Sequence, residues 1–226
     1  MITWLQQHTL LVLLGAGTIF SAVWLNLLRK RLSLSWYAAI LLAVLHTLIG
    51  VLSVKSFAFL ESGFQRNALG NMSLFGGVFF MPLVYWLGAK LTKRPYRDVF
   101  DVFTPCMIFT VMCARINCIL SGCCQGLIIP GLNGMRFPTR QAEILLYLIL
   151  LAILCPKIFR DKLHGTGYLI YMMSYGAFRF IIEFFRDAGT NALFHLAHLW
   201  ALLTLIVGIS LYAEISAKKP SKKRRG

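Results

Sequence analysis

Apolar residues along this chain run on in blocks long enough to cross a bilayer, instead of alternating with polar ones as on an amphipathic surface element. A hydrocarbon core about 30 Å thick takes roughly 20 apolar residues of helix. Blocks of that kind fall at 9–28, 34–54, 74–91, 99–120, 141–156, 167–185 and 193–215, the third and fifth being short. No internal repeat at a period of 20–50 residues is visible, and no stretch is left over for a soluble domain. The pattern predicts an all-α integral membrane protein: a seven-span transmembrane domain over 1–217 and a basic tail over 218–226.

Composition sharpens this. Of 226 residues, 58% are hydrophobic and 14% charged, and mean hydropathy is +0.71. A soluble domain carries about a quarter charged residues, and a disordered chain has far less apolar surface than this. The charge is one-sided, 23 Lys and Arg against 8 Asp and Glu, for a net +15. That total suggests a nucleic-acid partner, but its distribution argues otherwise. Basic residues follow the odd spans: Arg29, Lys30 and Arg31; Lys90, Lys93, Arg94 and Arg97; Lys157, Arg160 and Lys162; then Lys218, Lys219, Lys222, Lys223, Arg224 and Arg225. The opposite connections hold only Lys55, Arg66, Arg136, Arg140 and Arg186. The positive-inside rule then puts the N-terminus outside and the C-terminus in the cytoplasm, and the alternation works for seven spans but not for six or eight. The tail reads as a topology anchor on anionic lipid, at about 1 kcal/mol per basic residue, and no nucleic-acid partner is expected. The first span is expected to be retained. It has no basic n-region and no small-x-small cleavage site, and its positive cluster follows the apolar run.

Two arginines, Arg115 and Arg179, fall inside spans, where an ionised side chain costs several kcal/mol unless it meets a cavity or a partner. Both belong to the outer half of their helices. Tyr175, Arg179, Glu183 and Arg186 are spaced 4, 4 and 3, which makes one polar stripe along the sixth span. Such a stripe has to line a cavity or meet another helix. Two readings stand: an interhelical salt-bridge network in which Arg179 and Glu183 neutralise each other, or an anion site where Arg115, Arg179 and Arg186 face a phospholipid phosphate, the group Arg binds bidentately. The loop after the fourth span, Ser121-Gly122-Cys123-Cys124-Gln125-Gly126, has glycines suited to tight turns near a ligand. In Arg136-Phe137-Pro138-Thr139-Arg140-Gln141-Ala142-Glu143, the proline opens the next helix, and Glu143 reads either as a first-turn carboxylate favoured by the dipole or as part of the site.

The six cysteines make no C-x-x-C pair, and no His sits at zinc spacing, so no metal and no cofactor are expected. Cys106, Cys113 and Cys155 lie in spans and read as packing residues. Cys123 and Cys124 stand at the outer end of the fourth span, where a disulfide is open to them, although a vicinal bond between the two would be strained. His46 reads as a packing residue, and His195 and His198 as interfacial residues within reach of the site. Glu61 and Asn67 fall in an outer loop, 56–72, that is placed to cover the cavity. Trp4, Trp24, Trp36, Trp86 and Trp200 stand near span ends, where some anchor the interface.

Taken together, Gly76-Gly77 opening a span, Arg115-Ile116-Asn117-Cys118 before a Gly-rich turn, Arg136-x-Pro138-Thr139-x-x-x-Glu143, and Tyr175-Gly176-x-x-Arg179-Phe180-x-x-Glu183-Phe184-Phe185-Arg186 resemble the prolipoprotein diacylglyceryl transferase family over residues 70–187. The resemblance implies transfer of diacylglycerol from phosphatidylglycerol to a cysteine thiol, with glycerol-1-phosphate leaving, at the outer leaflet of the bacterial inner membrane. It implies catalytic roles for Arg115, Arg179 and Glu183. Gly76, Gly77, Asn117, Cys118, Arg136, Glu143, Tyr175 and Arg186 would border the substrate. The chain departs from the family pattern where Phe75 stands in place of a His before the double Gly, where Asn117-Cys118 replaces Gly-Asn, and where Cys123 replaces a Glu. These departures leave the phosphate-holding half intact and alter the acid–base half, so Cys123 and Cys124 join the catalytic candidates as base or nucleophile. The acceptor is expected to be a protein or small thiol, and the oligomeric state stays open. The alternatives are a non-catalytic lipid-binding or lipid-moving protein that keeps the headgroup site, and a small transporter with an intramembrane ion pair, which the absence of internal repeats disfavours.

Overall fold

A computed structural model describes residues 2–66, 71–131, 133–187 and 194–217, with side chains from residue 8 onward. Asn67, the side chain of Trp4 and the tail 218–226 lie outside the described residues. Among those described there are seven helices and no strand: α1 (Ile2–Leu27), α2 (Trp36–Glu61), α3 (Phe75–Leu91), α4 (Tyr96–Leu120), α5 (Thr139–Phe159), α6 (Gly167–Glu183) and α7 (Leu196–Ala217). Five of them, α1, α2, α4, α5 and α7, are long and apolar enough to cross a membrane. The other two have 17 residues each, about 25 Å at 1.5 Å per residue.

Local chemistry sets the ends. Ser35 caps α2 by accepting from the Ala38 N–H. Pro95 and Pro138 stand immediately before α4 and α5. Ser121 ends α4, and Gly122, at φ 73°, takes the left-handed turn that follows it. Several ends differ from the sequence expectation, α1 starting at Ile2 and not at residue 9, and three of them have a visible cause. Helix α2 continues to Glu61 because Phe57 still has a core to enter, packing on Phe75, Phe79 and Trp200. Glu61 is therefore helical and not part of an outer loop. Helix α5 keeps Pro156 within it and extends to Phe159, so the fifth span is not a short one. Helix α6 stops at Glu183 because the Phe185 carbonyl is taken by the Leu127 N–H and Arg186 bridges to Gly126.

Helix α4 is the axis of the bundle and the most deeply buried of the five long helices. It packs on α1, α2, α3, α5 and α6. Glycines allow the tightest crossings. A Cβ at Gly76 would run into the Ser53 carbonyl of α2, and one at Gly176 would lie 2.8 Å from the Leu205 N of α7. At the end of the bundle holding the α1–α2 connection, Arg31 binds Asp98 and Asp161, each at 2.6 Å, and donates to the Ile158 carbonyl. Asp101, fully buried on α4, accepts from the Gly165 and Gly167 N–H groups at 2.6 and 2.9 Å and so holds the N-terminus of α6. Trp24 and Trp200 pack inward, Trp24 donating to the Val102 carbonyl, whereas Trp36 and Trp86 are exposed as interfacial anchors should be.

Candidate active site

The opposite end of the bundle collects the charges that the sequence places inside spans. Glu143 of α5 gives one carboxylate oxygen to Arg115 Nε of α4 and the other to Arg179 Nη1 of α6 at 2.6 Å. Arg179 Nη2 reaches Glu183 Oε2 at 2.7 Å. Glu183 also meets His195 Nε2 at 2.9 Å and Arg186 Nη1 at 3.6 Å, and Arg186 Nη2 donates to Cys124 Sγ at 2.9 Å. Three helices and the turn after α4 are thus tied into one polar chain, Arg115–Glu143–Arg179–Glu183–Arg186–Cys124. Arg115, Glu143, Arg179 and Glu183 are each 3–5% exposed. Glu143 is the fifth residue of α5 and buried, so the first-turn reading of it is corrected: it is the hub that keeps two guanidinium groups together. The Arg179–Glu183 pair expected on the salt-bridge reading is present as well, and the cluster sets three arginines against two glutamates.

What separates this cluster from a plain brace is the space beside it. A cleft of about 640 Å³ is walled by Arg115, Arg179, Arg186, Tyr175, Asn117, Cys118, Cys123 and Cys124, and continues past Phe75 and Gly77 to apolar residues such as Val51, Met81 and Met107. From Met107 to Cys118, α4 alone lines about 16 Å of its depth. Glu143 and Glu183 are not part of the wall, so the arginines stand between the carboxylates and the cleft. Two buried groups of the wall, Arg179 Nε and Tyr175 Oη, make no hydrogen bond within the described protein.

The remaining candidates divide. Gly77 and Phe75 line the cleft, but Gly76 faces α2 instead. Asn117 accepts from Thr9 Oγ1 at 3.0 Å. Arg136 lies away from the wall, bonded to Asp187 and to the Gly126 carbonyl. It braces a small hairpin whose Phe137 stacks on Phe185 at 4.5 Å. His46 is buried beside Tyr85 and also borders the cleft. Glu61 joins the wall from the end of α2.

All six cysteines are free thiols, so the disulfide left open for Cys123 and Cys124 is not present. Cys118, Cys123 and Cys124 nevertheless converge, their three sulfurs lying within 4.8 Å of one another. Spacing rules built on C-x-x-C pairs miss this group. It forms because Gly122 and Cys124, both left-handed (φ 73° and 55°), fold the turn back onto the end of α4. The Cys124 thiol is held well below the usual thiol range, first by a hydrogen bond from Cys118; burial opposes this, and Arg186 and Arg115 reinforce it.

These features define a multi-pass helical membrane protein with a buried arginine pair at the wall of a cleft of mixed polar and apolar lining. The family described as prolipoprotein diacylglyceryl transferase matches residues 63–213, and the chain belongs to that family. Among curated relatives, the phosphatidylglycerol–prolipoprotein diacylglyceryl transferase of Chlorobaculum tepidum is 27% identical over 138 residues, covering 54% of this chain and 46% of its own. The enzymes of the same name from Polaromonas naphthalenivorans and Enterobacter sp. are 27% and 28% identical over 131 and 150 residues, covering 52% of this chain and 48% and 52% of their own. The chain spans about half the length of the curated relatives it matches.

Proposed function

We propose that the protein transfers a diacylglyceryl group from an anionic glycerophospholipid, phosphatidylglycerol by the names of its relatives, to a thiol acceptor at the outer face of a bacterial inner membrane. The observation that carries this reading is the pairing of Arg115 and Arg179 on Glu143 at the wall of a cleft that is cationic at one end and apolar in its depth. The cationic end suits a lipid phosphate and the apolar part suits acyl chains. The charge excess on the α1–α2, α3–α4 and α5–α6 connections supports an outward-facing cleft.

In this reaction the acceptor thiolate attacks the glyceryl carbon bonded to the phosphate oxygen. The S–C bond forms, the C–O bond breaks, and the electron pair leaves on glycerol-1-phosphate. Arg115 and Arg179 stabilise the charge gathering on that leaving group, the large term in catalysis of this kind. Glu143 fixes both guanidinium groups in advance, so no reorganisation is needed as charge develops.

The test is incubation of the purified protein with headgroup-labelled phosphatidylglycerol and a cysteine-containing peptide. The expected result is glycerol-1-phosphate release with a lipidated peptide, lowered at least 100-fold in Arg179→Gln and unchanged in Lys90→Gln at the far end of the bundle. A second reading, a lipid-binding protein without turnover, is favoured by Phe75, which packs edge-on against Tyr175 at 5.8 Å at the position where the resemblance implies a His. Lipid retention with no release from any form would establish it.

A further inference from the structure

Three sulfurs meet at the cleft, and nothing in the transfer reaction as derived above requires three. Cys118 lies in the last turn of α4, Cys123 and Cys124 lie in the turn that follows, and all three border the cleft, their sulfurs within 4.8 Å of one another. Tetrahedral zinc with Zn–S bonds of about 2.3 Å holds sulfurs roughly 3.8 Å apart, so movements of about 1 Å at most bring this set to that geometry. The backbone is braced for the purpose. Arg140 Nη1 donates to the Cys118 and Cys123 carbonyls at 2.9 and 3.1 Å, and Thr139 Oγ1 donates to the Cys124 carbonyl at 3.4 Å. The first two residues of α5 therefore fix the backbone of all three cysteines, as outer-shell partners fix ligands at metal centres. Cys124 is held at φ 55°, which costs a residue with a side chain roughly 1–2 kcal/mol. Strain of that kind persists at ligand clamps when the surroundings over-determine it.

Charge fits as well. Three thiolates around a divalent ion leave one negative charge in excess, and Arg186 stands 2.9 Å from the Cys124 sulfur to meet it. Among the described residues no fourth His, Cys, Asp or Glu joins the group. Three protein ligands and one vacant position form the pattern of catalytic zinc, whereas structural zinc is closed by four.

We propose that Cys118, Cys123 and Cys124 form a three-thiolate site for Zn2+ whose fourth position, open to the cleft, takes the acceptor thiol as its thiolate. The first half stands on the geometry alone; the second rests on the transferase reading. Binding displaces a water and releases the acceptor proton to solvent, because a thiol coordinated to zinc is deprotonated outright. The bound sulfur then attacks the glyceryl carbon, the C–O bond breaks towards glycerol-1-phosphate, and the neutral thioether leaves the metal. No electrons are exchanged with a further reagent. The step supplies a thiolate without the His that Phe75 replaces.

The experiment uses the full chain, purified without a polyhistidine tag, reduced and stripped of metal, and titrated with Zn2+ against a chromophoric chelator. One Zn2+ per chain is expected, weakened at least 100-fold in Cys123→Ser and in Cys124→Ser, and about 10-fold in Arg140→Gln. Co2+ in place of Zn2+ is expected to give a thiolate charge-transfer band that disappears in the same serine variants. Absence of stoichiometric binding, or binding indifferent to these substitutions, overturns the site. Equal transfer rates for metal-free and zinc-loaded protein overturn the acceptor role. Zinc bound as expected but no glycerol-1-phosphate from any form supports the site while overturning the transferase reading, so the two failures are distinct.

Discussion

Arg179 on α6 and Glu143 on α5 meet at 2.6 Å across 36 residues of sequence, and the second oxygen of the same carboxylate holds Arg115. Glu143→Gln leaves two buried guanidinium groups facing each other with half of their neutralising charge gone. Breaking a buried ion pair from one side costs about 3–5 kcal/mol. The variant is expected to melt well below wild type in detergent and to lose transfer activity. Glu143→Asp retains the charge but is one methylene shorter, and it should fall between the two in a thermal-unfolding series.

The adjacent glycines of α3 should respond unequally to the same substitution. A Cβ at Gly76 meets the Ser53 carbonyl and Phe57, neither of which can retreat without parting α2 from α3. A Cβ at Gly77 comes close only to the tip of Met107, a flexible side chain at 3.1 Å, with Val54 in ordinary contact at 3.9 Å. Gly76→Ala is expected to destabilise by about 1–3 kcal/mol or more, and Gly77→Ala to leave Tm nearly unchanged. Equal effects would contradict the packing described.

Much of this was legible in the sequence, for identifiable reasons. Apolar block length marked the spans, because a bilayer leaves few alternatives. The 4, 4, 3 spacing of Tyr175, Arg179, Glu183 and Arg186 marked the buried stripe, because helical geometry is local. Glu143 was ambiguous because its partners are far away in the chain, and a carboxylate early in a helix has a local explanation already. His195 reaching Glu183 and Arg140 strapping the cysteine turn depend on tertiary packing and leave no local sign. The thiol cluster was hidden for a different reason: it needs a left-handed Cys124, a conformation that residue type alone does not suggest.

Asp101 gives a stability prediction separable from function. Its carboxylate receives two N–H groups at the start of α6 and lies 3.7 Å from Arg31, far from the cleft. Asp101→Asn loses charge-assisted bonds worth about 1.5–3 kcal/mol each. The variant should melt lower, while turnover per folded molecule stays at the wild-type value. A turnover defect at full folding would show that this end of the bundle communicates with the site.

Orientation is open to direct measurement. Asn133 belongs to the connection between α4 and α5, and Ser33 to the connection between α1 and α2, at opposite ends of the bundle. In intact cells, an impermeant maleimide is expected to label Asn133→Cys and to spare Ser33→Cys until the membrane is opened. Both variants are made in a background where Cys118, Cys123 and Cys124 are Ser, because all three thiols border the cleft. The reverse pattern would turn the cleft towards the cytoplasm.

The most direct test of the central claim is an experimental structure of the protein in phosphatidylglycerol nanodiscs. The account predicts a lipid phosphate within about 3 Å of the Arg115 and Arg179 guanidinium groups, with acyl chains running past Met107. A cleft holding acyl chains alone, or a phosphate bound elsewhere while both arginines stay closed on Glu143 and Glu183, would contradict it.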